Sequence, residues 1–356
     1  MIDISSIDFE GLAHSIEHDY PNMISGRTVH IDADFLAYMV SAEKEGDPKT
    51  FEDMQHNAET VVDHLRKMAA AQYVHMHLTP SSSNKGGRYA IAIQKPYQGN
   101  REDKPKPRML HIMRNWLAER YPGTQYQFCE ADDGMSSAQY AAIAAGNENL
   151  SIIASKDKDL DMVPGWHMVW ETGELINSND RGTGSFGWVD LIEKKSATGQ
   201  VTKKLKGYGT KFLWAQMLIG DTADNIAGLP KLVGSVMNSV SPTMPVAAAK
   251  DLLDNPDATD KQKEKARKIL NERKPGLCGP ATAIKLLDKM QSDKQAFMIV
   301  RSLYELYGNE IGFTHHDTGL PVDWGQVFLS EAQLLWMRRN NSDPNDVIHW
   351  LKEINE

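Results

Sequence analysis

Two rhythms of hydrophobic and polar positions, one of period two and one near 3.6, alternate along this chain and predict its elements. Residues 1–27 have no clear period and read as an extension. The run Thr28-Val-His-Ile-Asp32 predicts a strand that ends on a carboxylate. Residues 58–71 put Val61, Val62, Leu65 and Met68 near helical spacing, and residues 72–78 alternate like a strand. A Ser/Gly/Asn-rich loop follows over 80–87, and 88–94 predicts a third strand. Residues 95–108 hold Pro96, Pro105 and Pro107 among several cations, which predicts an irregular connection. An amphipathic helix is expected over 109–120 and an alanine-rich one from near Asp132 to about Ala145. Strands are expected at 150–154 and 166–170, with a loop at 155–161 after the first. From Phe212 the pattern turns mainly helical. Residues 231–274 stand apart, with Ser/Pro/Met stretches and then a basic segment from Lys261 to Lys274, closed by Pro275-Gly276.

Strands that alternate with helices predict an α/β domain around a mostly parallel sheet. Sites in such sheets form outside the carboxyl ends of the strands. Asp32 and Asp157 both fall at such ends.

Composition narrows the class. Of 356 residues, 41% are hydrophobic and 24% charged, which is ordinary for a globular protein. No run of about 18 apolar residues predicts a membrane span. The first twenty residues lack a signal peptide's basic start and apolar centre. Cys129 and Cys278 do not make a disulfide framework, so a reducing cytoplasm is the expected compartment. The net charge of −9 means that any contact with phosphates must come from local basic patches.

Four short acidic clusters carry the candidate chemistry: Asp32-Ala-Asp34, Glu130-Ala-Asp132-Asp133, Asp157-Lys-Asp159, and Asp221-Thr-Ala-Asp224 after Gly220. Each alone reads as a cap or a turn. Asp32 and Asp34 fit a strand end that caps a helix, and Glu130, Asp132 and Asp133 fit a helix N-terminus. Asp157 and Asp159 fit an Asx-type turn, and Asp221 and Asp224 a capping pair one helical turn apart. Together they are more carboxylates than a core tolerates unpaired. Hard oxygen ligands suit Mg²⁺ or Mn²⁺, and two such ions about 4 Å apart are a common device for cutting phosphodiesters.

In these motifs the chain resembles the 5′-nuclease family, which includes flap endonucleases, the 5′-nuclease domains of bacterial DNA polymerases and phage-encoded 5′→3′ exonucleases. The resemblance runs from roughly Val29 to Leu287, interrupted by an insertion, and rests on Glu130-Ala-Asp-Asp, Ser155-Lys-Asp-Lys-Asp and Gly220-Asp-Thr-Ala-Asp-Asn-Ile-Ala-Gly. Phage members are most similar, through Leu205-Lys-Gly-Tyr-Gly-Thr-Lys and Leu218-Ile-Gly-Asp-Thr-Ala-Asp-Asn-Ile. The resemblance implies a PIN-like core over 28–211 with an arch-like loop at 95–108. It also implies a helix–three-turn–helix subdomain over 212–310 with an insertion at 231–274, and a helical packing segment over 311–356. Asp32, Glu130, Asp132 and Asp133 would serve a first Mg²⁺, and Asp157, Asp159, Asp221 and Asp224 a second, with Mn²⁺ able to substitute. A K⁺ would sit at the helix–three-turn–helix element. The implied reaction is 5′→3′ exonuclease and flap cleavage of duplex DNA, with 5′-phosphate products and RNase H-like activity, by a monomer in a bacterial or phage-infected cytoplasm. DNA contacts are expected from Arg88, Tyr97, Arg101, Lys104, Lys106 and Arg108, and from Gly228, Gly276, Gly279 and Thr282. Arg101 is also a candidate for catalysis.

Two departures stand out. Gln98 occupies the place of a family lysine that polarises the scissile phosphate, for which Arg101 or Lys95 is the candidate substitute. Thr79 stands where an acid usually follows the second strand, with Asn84 as a possible replacement. They keep open a non-catalytic DNA-structure-binding protein, and an RNA-directed nuclease is the other alternative. His315-His316-Asp317 reads as a polar loop, Cys129 as a core residue, Trp336 as packing, and Arg338-Arg339 as surface charge.

Overall fold

The computed structural model describes residues 20–43, 48–101, 105–195, 199, 201–229, 251–271 and 278–356. Strands β1 (Ile24–Asp32), β2 (Ala71–Leu78), β3 (Gly123–Gln125), β4 (Ser151–Ala154), β5 (Trp166–Met168) and β6 (Leu175–Asn177) form one sheet in the order β3-β2-β1-β4-β5-β6. All neighbours are parallel except β5 and β6. The chain moves outward from β1 through β2 to β3, then returns to the other side of β1 for β4. The strand order therefore reverses between β1 and β4, and the crevice beyond their carboxyl ends is the natural site of such a sheet.

Two apolar clusters cover the sheet. One packs Val29, Ile31, Met76 and Ile152 against α1 (Ala33–Ser41), α2 (Phe51–Met68) and the helix Leu110–Arg120. The other joins Ile153 and Met135 to a helical half of the molecule. In chain order the remaining helices are a single turn α3 (Arg88–Ile91), α4 (Leu110–Arg120), α5 (Ala131–Ala144), α6 (Thr210–Ile219), α7 (Asp260–Asn271), α8 (Pro280–Leu287), α9 (Asp293–Glu310), α10 (Trp324–Leu335) and α11 (Asp346–Asn355). Helix α6 is buried nearly all round, as its apolar sequence requires. Trp214 on it stacks on Trp350 of α11, which stacks in turn on Trp336. The hydroxyl of Tyr304 donates to the Met217 carbonyl at 2.7 Å. Residues beyond 311 thus belong to the same core as α6.

Several local expectations change. Residues 88–94 do not form a strand. Gly86 and Gly87 both have positive φ, 69° and 79°, and turn the chain into α3 so that the Arg88 side chain enters the interior. The basic, exposed hairpin of β7 (Trp188–Lys195) and β8 (Val201–Tyr208) was not anticipated, because charged residues interrupt its alternation. Asp221 and Asp224 lie on no helix: Asp221 and Ile226 form a reciprocal backbone bridge, with N···O distances of 2.9 and 2.7 Å, that closes a tight loop. Arg338 is buried rather than a surface charge. Of the extension, residues 1–19 lie outside the described residues, as does most of the insertion at 231–274 apart from 251–271.

His30, His77 and His167 are buried, and burial opposes their protonation. Burial, with His75 alongside, pushes His30 down to about 3. Burial pushes His167 down to about 4, although its Nε2 donates to the Val163 carbonyl at 2.7 Å. An unfolded histidine near 6.5 takes up a proton before the folded one does, so this stability is complete above pH 6.5 and is lost as pH falls toward 4. Glu331, pushed up to about 7 by burial, acts with the opposite sign. We therefore expect the His167 contribution as a difference in slope. Between pH 7.5 and 5.5 the parent should lose about 1.4 kcal/mol more unfolding free energy than H167Q. Parallel denaturation curves for the two proteins at both pH values would show that His167 does not titrate in this way.

Candidate metal centre

Three of the acidic clusters make the caps and turns that their sequence positions suggest, and the fourth, at Asp221 and Asp224, lies in a bridged loop instead of on a helix. Asp32 caps α1, accepting the Phe35 amide at 2.9 Å. Glu130 and Asp133 form a capping box at the start of α5, and Asp132 lies in its first turn. Asp157 accepts the Asp159 amide at 2.9 Å, and Asp221 accepts the Ala223 amide at 3.0 Å. These bonds fix the backbone around each cluster, and Asp221 keeps one buried carboxylate oxygen without a partner among the described residues. The four caps and turns lie around the crevice at the sheet's switch point.

The acids form one electrostatic chain. Asp32 is pushed up to about 7, first by burial and then by Asp34 and Asp157, against hydrogen bonds from Phe35 and Ser155. Asp132 is raised well above the usual carboxylate range by burial, then by Asp157 and Asp32. Asp157 is raised by burial and by Asp224, so it links the two halves of the site. Carboxylate oxygens of Asp159, Asp221 and Asp224 lie within 4.8 Å of one another. Burial and Asp157 push Asp159 up. Burial also opposes charge on Asp221, but Lys158 outweighs it and holds that carboxyl below its ordinary value. The Lys158 Nζ lies 3.0 Å from Asp159 Oδ1 and 2.7 Å from Asp221 Oδ1. Asp221 Oδ2 is buried without a hydrogen-bond partner among the described residues. Clustered hard oxygen donors, one of them orphaned, are the donor set of a divalent cation.

Asp133 and Glu130 stand apart from this set. Asp133 is fully buried, and Arg88 grips it bidentately at 2.9 and 3.0 Å. It also accepts the backbone amides of Glu130 and Arg338. Burial pushes it up, but Arg88 outweighs burial and keeps it ionised. Its lone pairs are occupied, so Asp133 is a frame residue rather than the metal ligand expected. Arg88 is likewise no surface phosphate contact: it is buried and held by Asp133, by Glu130 Oε2 at 2.8 Å and by the Trp336 carbonyl. Glu130 Oε2 also accepts the Tyr97 hydroxyl at 2.9 Å, while Oε1 lies 3.6 Å from the Lys85 Nζ.

The tract Tyr97-Gln98-Gly99-Asn100-Arg101 is laced onto the loop 222–225. Asn100 donates to the Thr222 carbonyl at 2.8 Å and Asn225 to the Pro96 carbonyl at 2.9 Å. Gln98 donates through Nε2 to Asp224 Oδ1 at 3.1 Å, and Arg101 pairs with the same carboxylate. Gln98 Oε1 accepts the Lys85 Nζ at 2.6 Å. Lys85 was not singled out in the sequence because it sits in a Ser/Gly-rich loop. The signal was the Gly86-Gly87 pair, which permits the left-handed turn that brings this lysine back over the site. Thr79, in place of the expected acid, donates its amide to Asp34 Oδ2 at 2.9 Å, and its hydroxyl accepts the Ala131 amide at 2.8 Å. Arg114 pairs with Asp34 and bonds the Thr79 carbonyl.

The other expected DNA contacts divide. Tyr97 is buried, its ring edge-to-face with the exposed ring of Tyr89. The Gly228 amide is taken by Glu331 at 2.8 Å. Gly228 has φ +63°, and a Cβ there would lie 2.2 Å from the Gly220 nitrogen, so its role is to close the Asp221–Ile226 loop. Gly279 and Thr282 are partly exposed at the N-terminus of α8. Lys95, Lys106 and Arg108 are exposed, Arg108 paired with Glu43. Lys104 and Gly276 lie outside the described residues. Ligand atoms of His315, His316 and Asp317 also approach one another, but in a turn where Asp317 already pairs with His316.

No family model matches the chain, and no curated protein does. Solved structures do. A bacteriophage T5 flap endonuclease variant, crystallised as a pseudo-enzyme–product complex with DNA and metal ions, is similar over 87% of this chain and 99% of its own, at 12% identity and a TM-score of 0.41. A T5 5′-exonuclease with bound zinc is similar over 78% and 99%, at 13% identity and a TM-score of 0.38. These neighbours are 5′-nucleases, the family the motifs resemble. No helix among the described residues is long and apolar enough to cross a membrane.

The Arg88–Asp133 pair gives a direct stability test. Truncating Arg88 to Ala strands a buried carboxylate and should cost about 3–5 kcal/mol in chemical denaturation. R88K should recover only part of that, because an ammonium cannot reproduce the fork. Full stability in R88A would contradict the frame role.

Proposed function

We infer that this chain is a metal-dependent 5′-nuclease acting on DNA, cleaving phosphodiesters at 5′ ends, nicks or flaps and leaving 5′-phosphates. The observation that carries the reading is the convergence of Asp159, Asp221 and Asp224, with a buried, unpartnered oxygen on Asp221, linked through Asp157 to Asp32 and Asp132. A structural role alone gives no reason to gather mutually repelling acids in one crevice. Asp159, Asp221 and Asp224, with Asp157, would hold one divalent ion, and Asp32, Asp132 and Glu130 would flank another. Bound divalent ions, Mg²⁺ or Mn²⁺, supply acidity for the attacking water and charge for the departing oxygen.

The chain's own residues do the positioning. Burial, and then their acidic neighbours, raises Asp32 and Asp132, so a cation bound there would displace protons and metal affinity should rise with pH. Lys85 and Arg101, on either side of Gln98, offer the scissile phosphate the positive charge that Gln98 lacks. The exposed ring of Tyr89, next to Tyr97, offers a stacking face for a base. The partly exposed N-terminus of α8 offers amides to a backbone phosphate, with a K⁺ nearby in this reading. The protein would act as a monomer in a bacterial or phage-infected cytoplasm, and RNA in RNA–DNA hybrids is a further substrate of the same chemistry.

Cleavage of 5′-labelled nicked and flapped duplexes, with Mg²⁺ and with EDTA, tests the reading. Mg²⁺-dependent release of mononucleotides or short flaps is expected, and D157N should lose it while keeping DNA affinity. DNA binding without release in Mg²⁺ or Mn²⁺ would instead favour a structure-binding protein, as the Thr79 and Gln98 departures suggest. Within an active enzyme, K85A should lower the single-turnover rate by roughly 10- to 1,000-fold, on the scale of one preorganised electrostatic contact. An unchanged rate would return that role to Arg101.

A further inference from the structure

The turn between the short antiparallel strands β9 (Phe313–Thr314) and β10 (Pro321–Val322) carries two imidazoles and a carboxylate that neither the core nor the acidic crevice uses. One ligand atom from each of His315, His316 and Asp317 lies within 4.8 Å of the other two. The backbone of the turn is fixed by its own bonds. The His315 amide donates to the Leu320 carbonyl at 2.9 Å, the Gly319 amide to the His315 carbonyl at 2.8 Å, and the His316 amide to the Ile93 carbonyl at 2.9 Å. At the root, Phe313 is buried with its ring against Tyr304 and Tyr307. A ligand here orders side chains alone, which lowers the entropic cost of binding. His315 and His316 are partly exposed and Asp317 is exposed, so the open side of the turn admits an ion and its waters.

The side-chain contacts within the turn are compatible with a bound ion. The Asp317 amide donates to His315 Nδ1 at 3.2 Å, an exposed bond that water can replace at little cost. His316 Nδ1 lies 3.0 Å from Asp317 Oδ1. Metal-binding histidines commonly donate one ring N–H to a carboxylate while the other nitrogen faces the ion, so this pairing is no bar to a metal. Nε2 of each ring has no hydrogen-bond partner among the described residues. The rings lie 5.0 Å apart and 21° from parallel, and closing on an ion requires only rotation about their side-chain bonds. Two imidazoles with one carboxylate suit Zn²⁺, Ni²⁺ or Cu²⁺, whereas Mg²⁺ favours oxygen alone. The Asp159, Asp221 and Asp224 group offers only oxygens and has the opposite preference. We propose that the His315–His316–Asp317 turn is a separate site for a divalent transition ion, with water filling the remaining positions. It stands independently of the nuclease reading, since no residue of the crevice takes part.

The test is a Zn²⁺ titration of the full chain in excess Mg²⁺, read by competition with a chromophoric zinc indicator, in the parent and in D159N/D221N, which disables the crevice. D159N/D221N should still bind one equivalent of Zn²⁺. Adding H315A and H316A should weaken that binding by about tenfold or more, since losing even an outer partner of a metal costs that much. In the parent background the same two changes should remove one equivalent and leave any crevice binding in place. Cu²⁺ bound to D159N/D221N should show nitrogen hyperfine splitting in its EPR spectrum, and the two histidine changes should abolish it. Melting temperatures without Zn²⁺ should not change with H315A/H316A, because neither ring packs in the core. Zn²⁺ affinity and stoichiometry that survive H315A/H316A in both backgrounds overturn the site. A parent that binds no Zn²⁺ in excess Mg²⁺ overturns it as well.

Discussion

A buried guanidinium holds the site together. Arg88 lies in the interior between Asp133, Glu130 and the Trp336 carbonyl, so a loop, a helix N-terminus and the carboxy-terminal half meet at one charge. Such a pair gains little net energy, because desolvating both partners offsets their attraction. Its value is geometric. The fork of Arg88 ties the first turn of α5, which also carries Asp132, to the turn α3 and to the Trp336 carbonyl. Losing one partner would leave the other buried and unpaired, which is far more costly than never having built the pair.

Around this frame the acids divide into those already satisfied and those that are not. Asp133 is saturated by cations and amides. Asp32, Asp132, Asp157 and Asp159 are raised because burial and like charge are not offset. Lys158 offsets only part of the deficit, bridging Asp159 and Asp221. The same caps and turns that satisfy backbone amides therefore place the acids where only a cation can lower their mutual repulsion. Structural and chemical roles are carried by different oxygens of the same side chains.

The two departures from the family pattern become intelligible in three dimensions. Gln98 keeps the amide contact to Asp224 and receives Lys85 from a distant loop, so a positive charge stands beside the position that lost one. Thr79 replaces a carboxylate by a hydroxyl that ties the start of α5 and by an amide that holds Asp34. Both residues anchor loops at the site, Gln98 to Asp224 and Thr79 to Asp34 and Ala131.

The sequence determined the α/β alternation, the central strand ending at Asp32, the alanine-rich helix beginning near Asp132, and the identity of the acidic clusters, because these follow from local periodicity and capping chemistry. It could not separate Asp133 from Asp132, since Arg88 and the Arg338 amide, both distant in the chain, reach only Asp133. It misread residues 88–94, where local alternation suggested a strand but a buried ion pair pulled the chain into a helical turn. It passed over Lys85 and the β7–β8 ribbon, because a lysine's meaning depends on what it faces after folding. Local patterns fix where the backbone turns. Which charges are paired, buried or left facing solvent depends on segments far apart in the chain, and only tertiary packing decides that.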